Sequence, residues 1–246
     1  MAGNFVQLHN HTHYSLLDGA SKVPDLVKRV KELGMPAVGI TDHGNMHGAY
    51  ELWRAAVDSG VKPIIGIEAY VTPETARQDK TRVSWDTNWT PVPGHARNPD
   101  DVSGGGLITH LTMWAENDEG LVNLIKASSV ANLEGRVMRY PRMDKEVLST
   151  YSKGVIASSG CPSGIIQTRL RLGQFDEALR AAGEFQDIFG KDNFYIELMD
   201  HGLSIESKVT GDLLTIAKKL GAPLLATNDS HYVMEADKDA QDAMLC

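Results

Sequence analysis

The chain has 246 residues, of which 42% are hydrophobic and 23% are charged, and its formal net charge is −8. That acidic balance argues against a broad basic surface of the kind that holds nucleic acid along its backbone. The two cysteines, Cys161 and Cys246, are too few for a disulfide framework and predict a reducing, cytoplasmic location. No apolar stretch approaches the roughly 18 residues that a membrane span requires, and no signal-peptide pattern is present, so no membrane partner is expected.

Strand and helix signals alternate along the chain. Continuous apolar runs predict strands at 5–8, 37–40, 63–71, 107–115, 154–158, 193–199 and 223–227. Apolar residues at helical spacing predict helices at 24–33, 46–59, 118–133, 143–150, 163–172, 174–189, 205–220 and 239–246. About seven βα units of unequal length are typical of an α/β protein that closes into an irregular barrel, and they fit an open doubly wound sheet less well.

A long segment without periodicity interrupts this alternation. Residues 73–106 contain prolines, charges and the run Gly104-Gly105-Gly106. We expect a surface insertion there, within one domain that spans residues 1–246. The pattern of the last helix breaks off without a glycine or proline stop, which predicts that the sequence is the N-terminal fragment of a longer chain.

Nine side chains that can bind metal ions lie at or near the ends of predicted strands. They are His9, His11, Asp18, His43, Glu68, His110, Cys161, Asp229 and His231. In a parallel βα protein such positions converge at one end of the sheet, where nine ligands are enough for three ions. Residues two apart in an extended chain face the same side, so His9-X-His11 and Asp229-X-His231 each present two ligands together. Burial of Glu68 in its strand is costly without a partner, and metal coordination removes that cost.

Taken one at a time, several of these residues have a simpler interpretation. His110 alone is most simply a core histidine, Cys161 a small buried residue, and Asp18 part of a turn. The joint pattern favours a hydrolytic metal site. Asp42 is expected to orient His43 or a neighbour without binding an ion itself. The remaining histidines lack a strand-end position or a chelating partner, or lie in the insertion, and we expect them outside the site: His13, His47, His95 and His201.

Four longer motifs contain most of the predicted ligands. They are His-Asn-His-Thr-His-Tyr-Ser-Leu-Leu-Asp-Gly at 9–19, Ile-Thr-Asp-His-Gly-Asn-Met at 40–46, Gly-Cys-Pro-Ser-Gly at 160–164 and Ala-Thr-Asn-Asp-Ser-His-Tyr at 226–232. Together they resemble the polymerase and histidinol phosphatase (PHP) superfamily, and most closely its branch at the N-terminus of bacterial DNA polymerase III alpha subunits. The resemblance covers essentially the whole chain. It implies an α/β fold, a distorted (β/α)7 barrel with a trinuclear metal site at the C-terminal ends of the strands.

The resemblance also implies how the nine residues divide among three divalent ions. The first ion would take His9, His11, Glu68 and Asp229. The second would share Glu68 and add His110 and Cys161, and the third would take Asp18, His43 and His231. Asp18 and Cys161 replace histidines that are usual in the phosphatase branch and resemble polymerase relatives that keep the centre. A thiolate suits Zn²⁺, and carboxylates admit Mn²⁺.

The function implied by the resemblance is a 3′–5′ exonuclease that proofreads a DNA primer end. Its partners would be the primer 3′ end, the remainder of the polymerase alpha chain and the replisome subunits, with the polymerisation site downstream of this sequence. Metal-activated water would attack phosphorus, and we expect Asp18, Glu68 and Asp229 to carry catalysis. Two alternatives stay open: a free-standing phosphatase for small phosphomonoesters such as histidinol phosphate, and a structural module in which metal stabilises the fold without catalysis.

Overall fold

The structure, a computed structural model, describes residues 5–16, 18–86, 88, 90, 98, 100 and 105–245. Its strands are β1 (Ala37–Ile40), β2 (Lys62–Val71), β3 (Thr109–Ala115), β4 (Arg136–Val137), β5 (Tyr140–Met143), β6 (Val155–Ser158), β7 (Phe194–Leu198) and β8 (Leu224–Ala226). Its helices are α1 (Val23–Glu32), α2 (Ala49–Ser59), α3 (Asp118–Glu134), α4 (Lys145–Thr150), α5 (Ile165–Arg171), α6 (Phe175–Phe189), α7 (Ser204–Leu220) and α8 (Lys238–Met244), with a 3-10 turn at Glu235–Asp237.

Each predicted helix is present, and local sequence explains where the first two begin and end. Pro24 lies in the first turn of α1, where its missing N–H leaves no hydrogen bond unmade. Gly60 follows α2 with a φ of 72°, a left-handed conformation that ends a helix at little cost for glycine. These signals are local, which is why the sequence alone places these ends well.

Seven chain segments close into a barrel. Around the ring, β1, β2, β3, β6, β7 and β8 follow one another as neighbours. The segment at residues 7–11 closes the gap, because Gly39 N–H donates to the Gln7 carbonyl (2.7 Å) and His11 N–H donates to the Ser230 carbonyl (2.8 Å). This segment was predicted as a strand over 5–8 and pairs through isolated bridges instead. The predicted α/β class and distorted barrel are confirmed.

One barrel strand runs against its neighbours. β3 is antiparallel to both β2 and β6, with His110 opposite Tyr70 of β2. The described part of the connection between β2 and β3 contains no helix, and parallel strands need a crossover that is usually helical. The prediction that all nine residues lie at C-terminal strand ends is therefore wrong for His110. It lies near the start of β3 and reaches the same end of the barrel because its strand is reversed.

Apolar side chains fill the space between the barrel and the helices. One cluster packs the outer side of the strands against the later helices and includes Ile67, Met113 and Phe194. A second lies among α1, α2 and β1 and includes Ile40 and Leu52. Because side chains alternate along a strand, the neighbours of these residues face the inside of the barrel, where the polar cluster is built.

The described part of the insertion at 73–106 has no helix or strand and is held against the barrel. The Trp85 ring is buried, with the Arg169 guanidinium 4.2 Å from its centre. Arg77 pairs with Asp144 at 3.1 Å, and the fully buried Arg142 donates to the Arg77 carbonyl at 2.6 Å. A short hairpin of β4 and β5, which sequence reasoning missed, extends the sheet beside β2. Of the residues discussed above, four lie outside the described part of the chain: Leu17, His95, Gly104 and Cys246.

Candidate metal centre

All nine predicted side chains come together at the end of the barrel where β2 and its parallel neighbours finish. Within the described residues, three sets of ligand atoms lie within 4.8 Å of one another. These sets are His9, His11 and Asp229; His43, Glu68 and His110; and His11, His43 and His231. The sets share His11 and His43, so their seven residues form one connected cluster. Asp18 joins it through His43, and Cys161 joins it through His110.

Among the helices that the structure describes, none combines the length and the apolar composition of a transmembrane span.

Glu68 lies at the centre of this cluster and is fully buried. Its Oε1 is 3.4 Å from His9 Nε2 and 3.2 Å from His110 Nδ1. Its Oε2 is 2.7 Å from His43 Nδ1 and 3.5 Å from His11 Nε2. A single carboxylate thus touches four imidazoles, which is the arrangement expected of a residue that bridges neighbouring cations.

Asp229 contacts two of the histidines that Glu68 touches, His9 and His11. Its Oδ1 is 3.1 Å from His11 Nε2 and 3.3 Å from His9 Nε2. The residue has a φ of 46°, the left-handed region, which aspartate tolerates better than most side chains. His231 lies on the same turn, and its ring stacks on His11 with centroids 4.3 Å apart. The tight turn after β8 therefore directs two side chains into the cluster.

The other members complete the cluster at its edges. Asp18 Oδ2 is 2.7 Å from His43 Nε2 and 3.4 Å from His231 Nε2. On the opposite side, Cys161 Sγ lies 3.4 Å from His110 Nδ1. Asp18 contacts His43 and His231, and His110 contacts Glu68, as the division that the resemblance implies requires. His43 also touches Glu68, and His11 groups with His43 and His231, so the assignment of residues to three ions stays a prediction.

Several atoms of the cluster are buried without a hydrogen-bond partner of suitable geometry. They are His9 Nε2, His11 Nε2, His43 Nδ1, both carboxylate oxygens of Glu68 and Asp229 Oδ1. Buried polar atoms in folded proteins are nearly always paired, because an unpaired one costs about 1–3 kcal/mol. These atoms point at one another across distances that a divalent cation would span, and nitrogen, oxygen and sulfur donors of this kind suit zinc and manganese. The residues present therefore fit bound cations.

The charges of the cluster act strongly on one another. Burial and the positive charge of His43 lower the pKa of His11 to about 3. Burial also opposes a charge on His43, but the carboxylates of Glu68 and Asp18 outweigh it and raise its pKa to about 10. Burial alone would raise the pKa of Glu68, yet the neighbouring imidazoles hold it well below its usual range. The carboxylates here are thus kept in the charged form that binds a cation.

The thiol of Cys161 behaves in the opposite way. Burial raises its pKa, and the negative charges of Glu68 and Asp229 add to the effect. A thiol in this position releases its proton only when a positive charge arrives, as metal coordination provides. Cys161 is held on the loop after β6, and the loop turns at Gly160 with a φ of 76°.

A second carboxylate, Glu197 of β7, supports the cluster and was missed by sequence reasoning. It is buried, and its Oε1 lies 2.7 Å from His9 Nδ1, which fixes the ring so that Nε2 faces Glu68 and Asp229. Ser158 and Thr227 hydroxyls donate to the same carboxylate. The signal was available, because Glu197 is a lone carboxylate in a buried strand, as Glu68 is.

Asp42 holds the cluster indirectly, as predicted. Its carboxylate accepts hydrogen bonds from Thr12 N–H (2.7 Å) and from the Ser15 hydroxyl (2.8 Å). That hydroxyl lies 3.0 Å from His11 Nδ1 and accepts from the His43 backbone N–H at 3.1 Å. Asp42 therefore orients two cluster histidines through one serine.

The histidines predicted to lie outside the site are mostly remote from it. His13 is exposed and faces Glu51 at 3.9 Å, and His47 is exposed on the way into α2. His201 is different, because it lines a cavity of about 470 Å³ that opens beside the cluster. Its Nδ1 is 2.6 Å from Glu206 Oε1.

Comparison with known proteins decides the family. The family model described as PHP domain matches residues 7–201. The chain belongs to the PHP domain family. This match confirms the family that the motifs predict. Comparison with individual proteins also finds relatives with about 50% sequence identity over nearly the whole chain.

The PHP domain described here is similar to the DNA polymerase III subunit alpha of Mycobacterium leprae (strain TN), with 51% identity over 243 residues, or 99% of this chain and 20% of that one. The same subunit of Saccharopolyspora erythraea is 53% identical over 242 residues, again with 20% of its length covered. The chain thus spans about a fifth of these relatives. A solved amidohydrolase from Chromobacterium violaceum shares the fold of the PHP domain, with a TM-score of 0.53, 14% identity, and 98% and 97% of the two chains covered.

Proposed function

We propose that this PHP domain is a metal-dependent phosphodiesterase that removes nucleotides from the 3′ end of a DNA primer. It would act as the proofreading part of a cytoplasmic DNA polymerase III alpha chain, beside the remainder of that chain and the other replisome subunits. Identity of about 50% to alpha subunits over nearly the whole chain supports this setting. The net charge of −8 supports a substrate held at one site and not along a basic face.

The observation that carries the proposal is the convergence of unpaired buried atoms on one point. A relic of a metal site would have replaced some of these polar groups with apolar ones, since each costs stability when it is left unpaired. Here Glu68, Asp229 and three histidines keep such atoms together. We therefore propose three divalent ions, Zn²⁺ or Mn²⁺, held by all nine residues of the cluster.

The proposed ligand sets are those that the resemblance implies. His9, His11, Glu68 and Asp229 would hold the first ion, and Glu68 with His110 and Cys161 the second. Asp18, His43 and His231 would hold the third. Glu197 would keep His9 in the orientation that presents Nε2, and Ser15 would do the same for His11.

The chemistry needs no nucleophile from the protein. When bound, the ions would supply the positive charge that activates water and stabilises charge on the phosphate. Water adds to phosphorus and the bond to the 3′ oxygen breaks, which leaves a 3′-hydroxyl on the shortened primer and a 5′-phosphate on the released nucleotide. Asp18, Glu68 and Asp229 would carry catalysis by holding the ions in place. Their negative charges would be fewer than the positive charges of three divalent ions, so the site would keep a net positive charge.

The proposal is tested by incubating the 246-residue chain with Mn²⁺ or Zn²⁺ and a 5′-labelled primer that carries a 3′ mismatch. We expect shortening from the 3′ end, reduced by at least about 100-fold in Asp18→Asn and Asp229→Asn. His13→Gln is the matched control, because His13 lies in the same motif but outside the cluster.

Three outcomes would contradict the proposal. The first is an intact primer with every metal, and the second is shortening that persists unchanged in Asp18→Asn. The third is turnover of histidinol phosphate without any action on DNA, which would identify a phosphatase. If metal raises the melting temperature and no phosphoester is cleaved, the centre is structural.

A further inference from the structure

The cavity beside the cluster has walls of two kinds. On one side it is lined by Asp18, Asp229 and His231, three of the proposed ligands. On the other it is lined by the loops that follow β7 and β8, which contribute the apolar and aromatic side chains of Met199, Leu203 and Tyr232 together with polar ones such as Asn228. A ligand that fits both sides has a charged end and an apolar body.

Two of the side chains that line this cavity are apolar or aromatic and are exposed to solvent. Leu203 is 54% exposed and Tyr232 is 36% exposed. Within the described residues that line this cavity there is no lysine or arginine. An anionic group would therefore be held at the cluster, and the exposed side chains are left to contact an uncharged part of the same ligand.

The rim of the cavity is fixed before any ligand arrives. His201 Nδ1 lies 2.6 Å from Glu206 Oε1, and the His201 backbone N–H donates to Glu206 Oε2 at 2.8 Å. Glu206 is 7% exposed and lies in the first turn of α7. These two bonds hold the loop that carries Leu203, so the wall is preorganised and binding does not have to order it.

We propose that this cavity receives the base of the terminal nucleotide, with the Tyr232 ring as its stacking surface and Leu203 as its second apolar contact. The inference rests on the proposed function, because it takes the scissile phosphate to be at the cluster. Stacking on an aromatic ring is tolerant of sequence, since every base has a π-face. An enzyme that removes whichever nucleotide ends the primer needs that kind of recognition.

The test compares two small ligands that differ only in the base. Binding of 2′-deoxyadenosine 5′-phosphate and of 2-deoxyribose 5-phosphate to the Mn²⁺-loaded chain is measured by calorimetry. We expect the nucleotide to bind at least about tenfold more tightly, because stacking adds to the phosphate contact. Tyr232→Ala should remove this preference and Tyr232→Phe should keep it.

The control variant is Tyr50→Ala, which removes a 71% exposed tyrosine on α2 that does not line the cavity and should preserve the preference. Melting temperatures of all variants establish that each is folded. Equal binding of the two ligands by the wild type, or a preference that survives in folded Tyr232→Ala, would overturn the inference.

Failure of this inference and failure of the proposed function give different results. A nucleotide preference that depends on Tyr232, together with an intact primer, contradicts the exonuclease alone. A shortened primer with equal binding of both ligands contradicts the base site alone.

Discussion

The two ends of the barrel interior differ in the polarity of the side chains that fill them. At the mouth, buried nitrogen and oxygen atoms of residues such as Glu68 and Asp229 have no hydrogen-bond partner of suitable geometry. At the other end, Trp114 Nε1 donates to the Leu8 carbonyl at 3.1 Å, and a cavity of about 530 Å³ is lined mainly by apolar side chains such as Ile64 and Ile156. The apolar end is therefore closed by a bond within the protein, whereas the mouth gathers buried polar atoms that fit bound cations.

The boundary between the two ends lies at Gly66, two residues before Glu68 on the same side of β2. A Cβ at this position would lie 2.7 Å from the Trp114 ring and 2.4 Å from the Met113 carbonyl oxygen. Glycine thus lets the indole close the barrel immediately below the cluster. One strand can thus contribute to stability at one end of a barrel and to the site at the other.

Removal of metal should have the largest effect on stability and should act through the mouth. Each ion present at about a thousand times its Kd should add about 4 kcal/mol to the free energy of unfolding. The measurement is urea denaturation of the wild type with excess metal and with a chelator. Superimposable curves would show that the unpaired atoms are not a cation site.

Truncation of Trp114 should destabilise the other end by a similar amount whether or not metal is bound at the mouth. Loss of a buried aromatic side chain costs about 3–5 kcal/mol, and Trp114 is 3% exposed. We expect Trp114→Ala to lose this amount with and without metal, in the same denaturation experiment. A loss seen only in the metal-bound protein would mean that the two ends are not independent.

Glu197 should have a smaller effect that is confined to metal binding. Groups that orient a metal-binding histidine are worth about 10–100-fold in affinity. Glu197→Gln should weaken metal binding by that factor, because the amide no longer fixes His9 with a charge-assisted bond. Metal titration by calorimetry measures the change, with Glu116→Gln, a carboxylate at the other end of the barrel, as the control that should bind metal normally.

The ion pairs of Glu74 lie outside the barrel and should affect neither end. Burial opposes its charge, but Arg180 and Arg169 hold the pKa of Glu74 below its ordinary value of 4.5. A lowered pKa stabilises the fold above that ordinary value and the gain is lost as the pH falls below it. Glu74→Gln should thus cost about 1 kcal/mol at pH 7 and progressively less as the pH falls below 4.5, with metal affinity unchanged. A cost that does not shrink in acid would rule out the charge as its origin.

Features that depend on residues close together in sequence were predicted correctly, and features that depend on distant residues were not. Strand ends and the spacing of His9 and His11 are local, and both the barrel and the cluster followed from them. The direction of β3 depends on its long-range partners, so His110 was assigned to the right place for a wrong reason. Glu197 lacks a motif and was overlooked, although it is as buried as Glu68.

The remaining misses share a physical cause. The β4–β5 hairpin is too short to show a periodic pattern. The bonds that tie Arg77 to Asp144 cross 67 positions in sequence and leave no trace in local composition. The cavity beside the cluster is formed by Tyr232 and Leu203 from separate loops, which only the folded barrel brings together.

Anomalous scattering would show whether the mouth of this barrel binds cations. Crystals of the chain grown with Mn²⁺ or Zn²⁺ would be measured on both sides of the metal's absorption edge. We expect three peaks enclosed by the nine side chains around Glu68. Peaks elsewhere, or none at the cluster in a protein that is folded and exposed to metal, would contradict it.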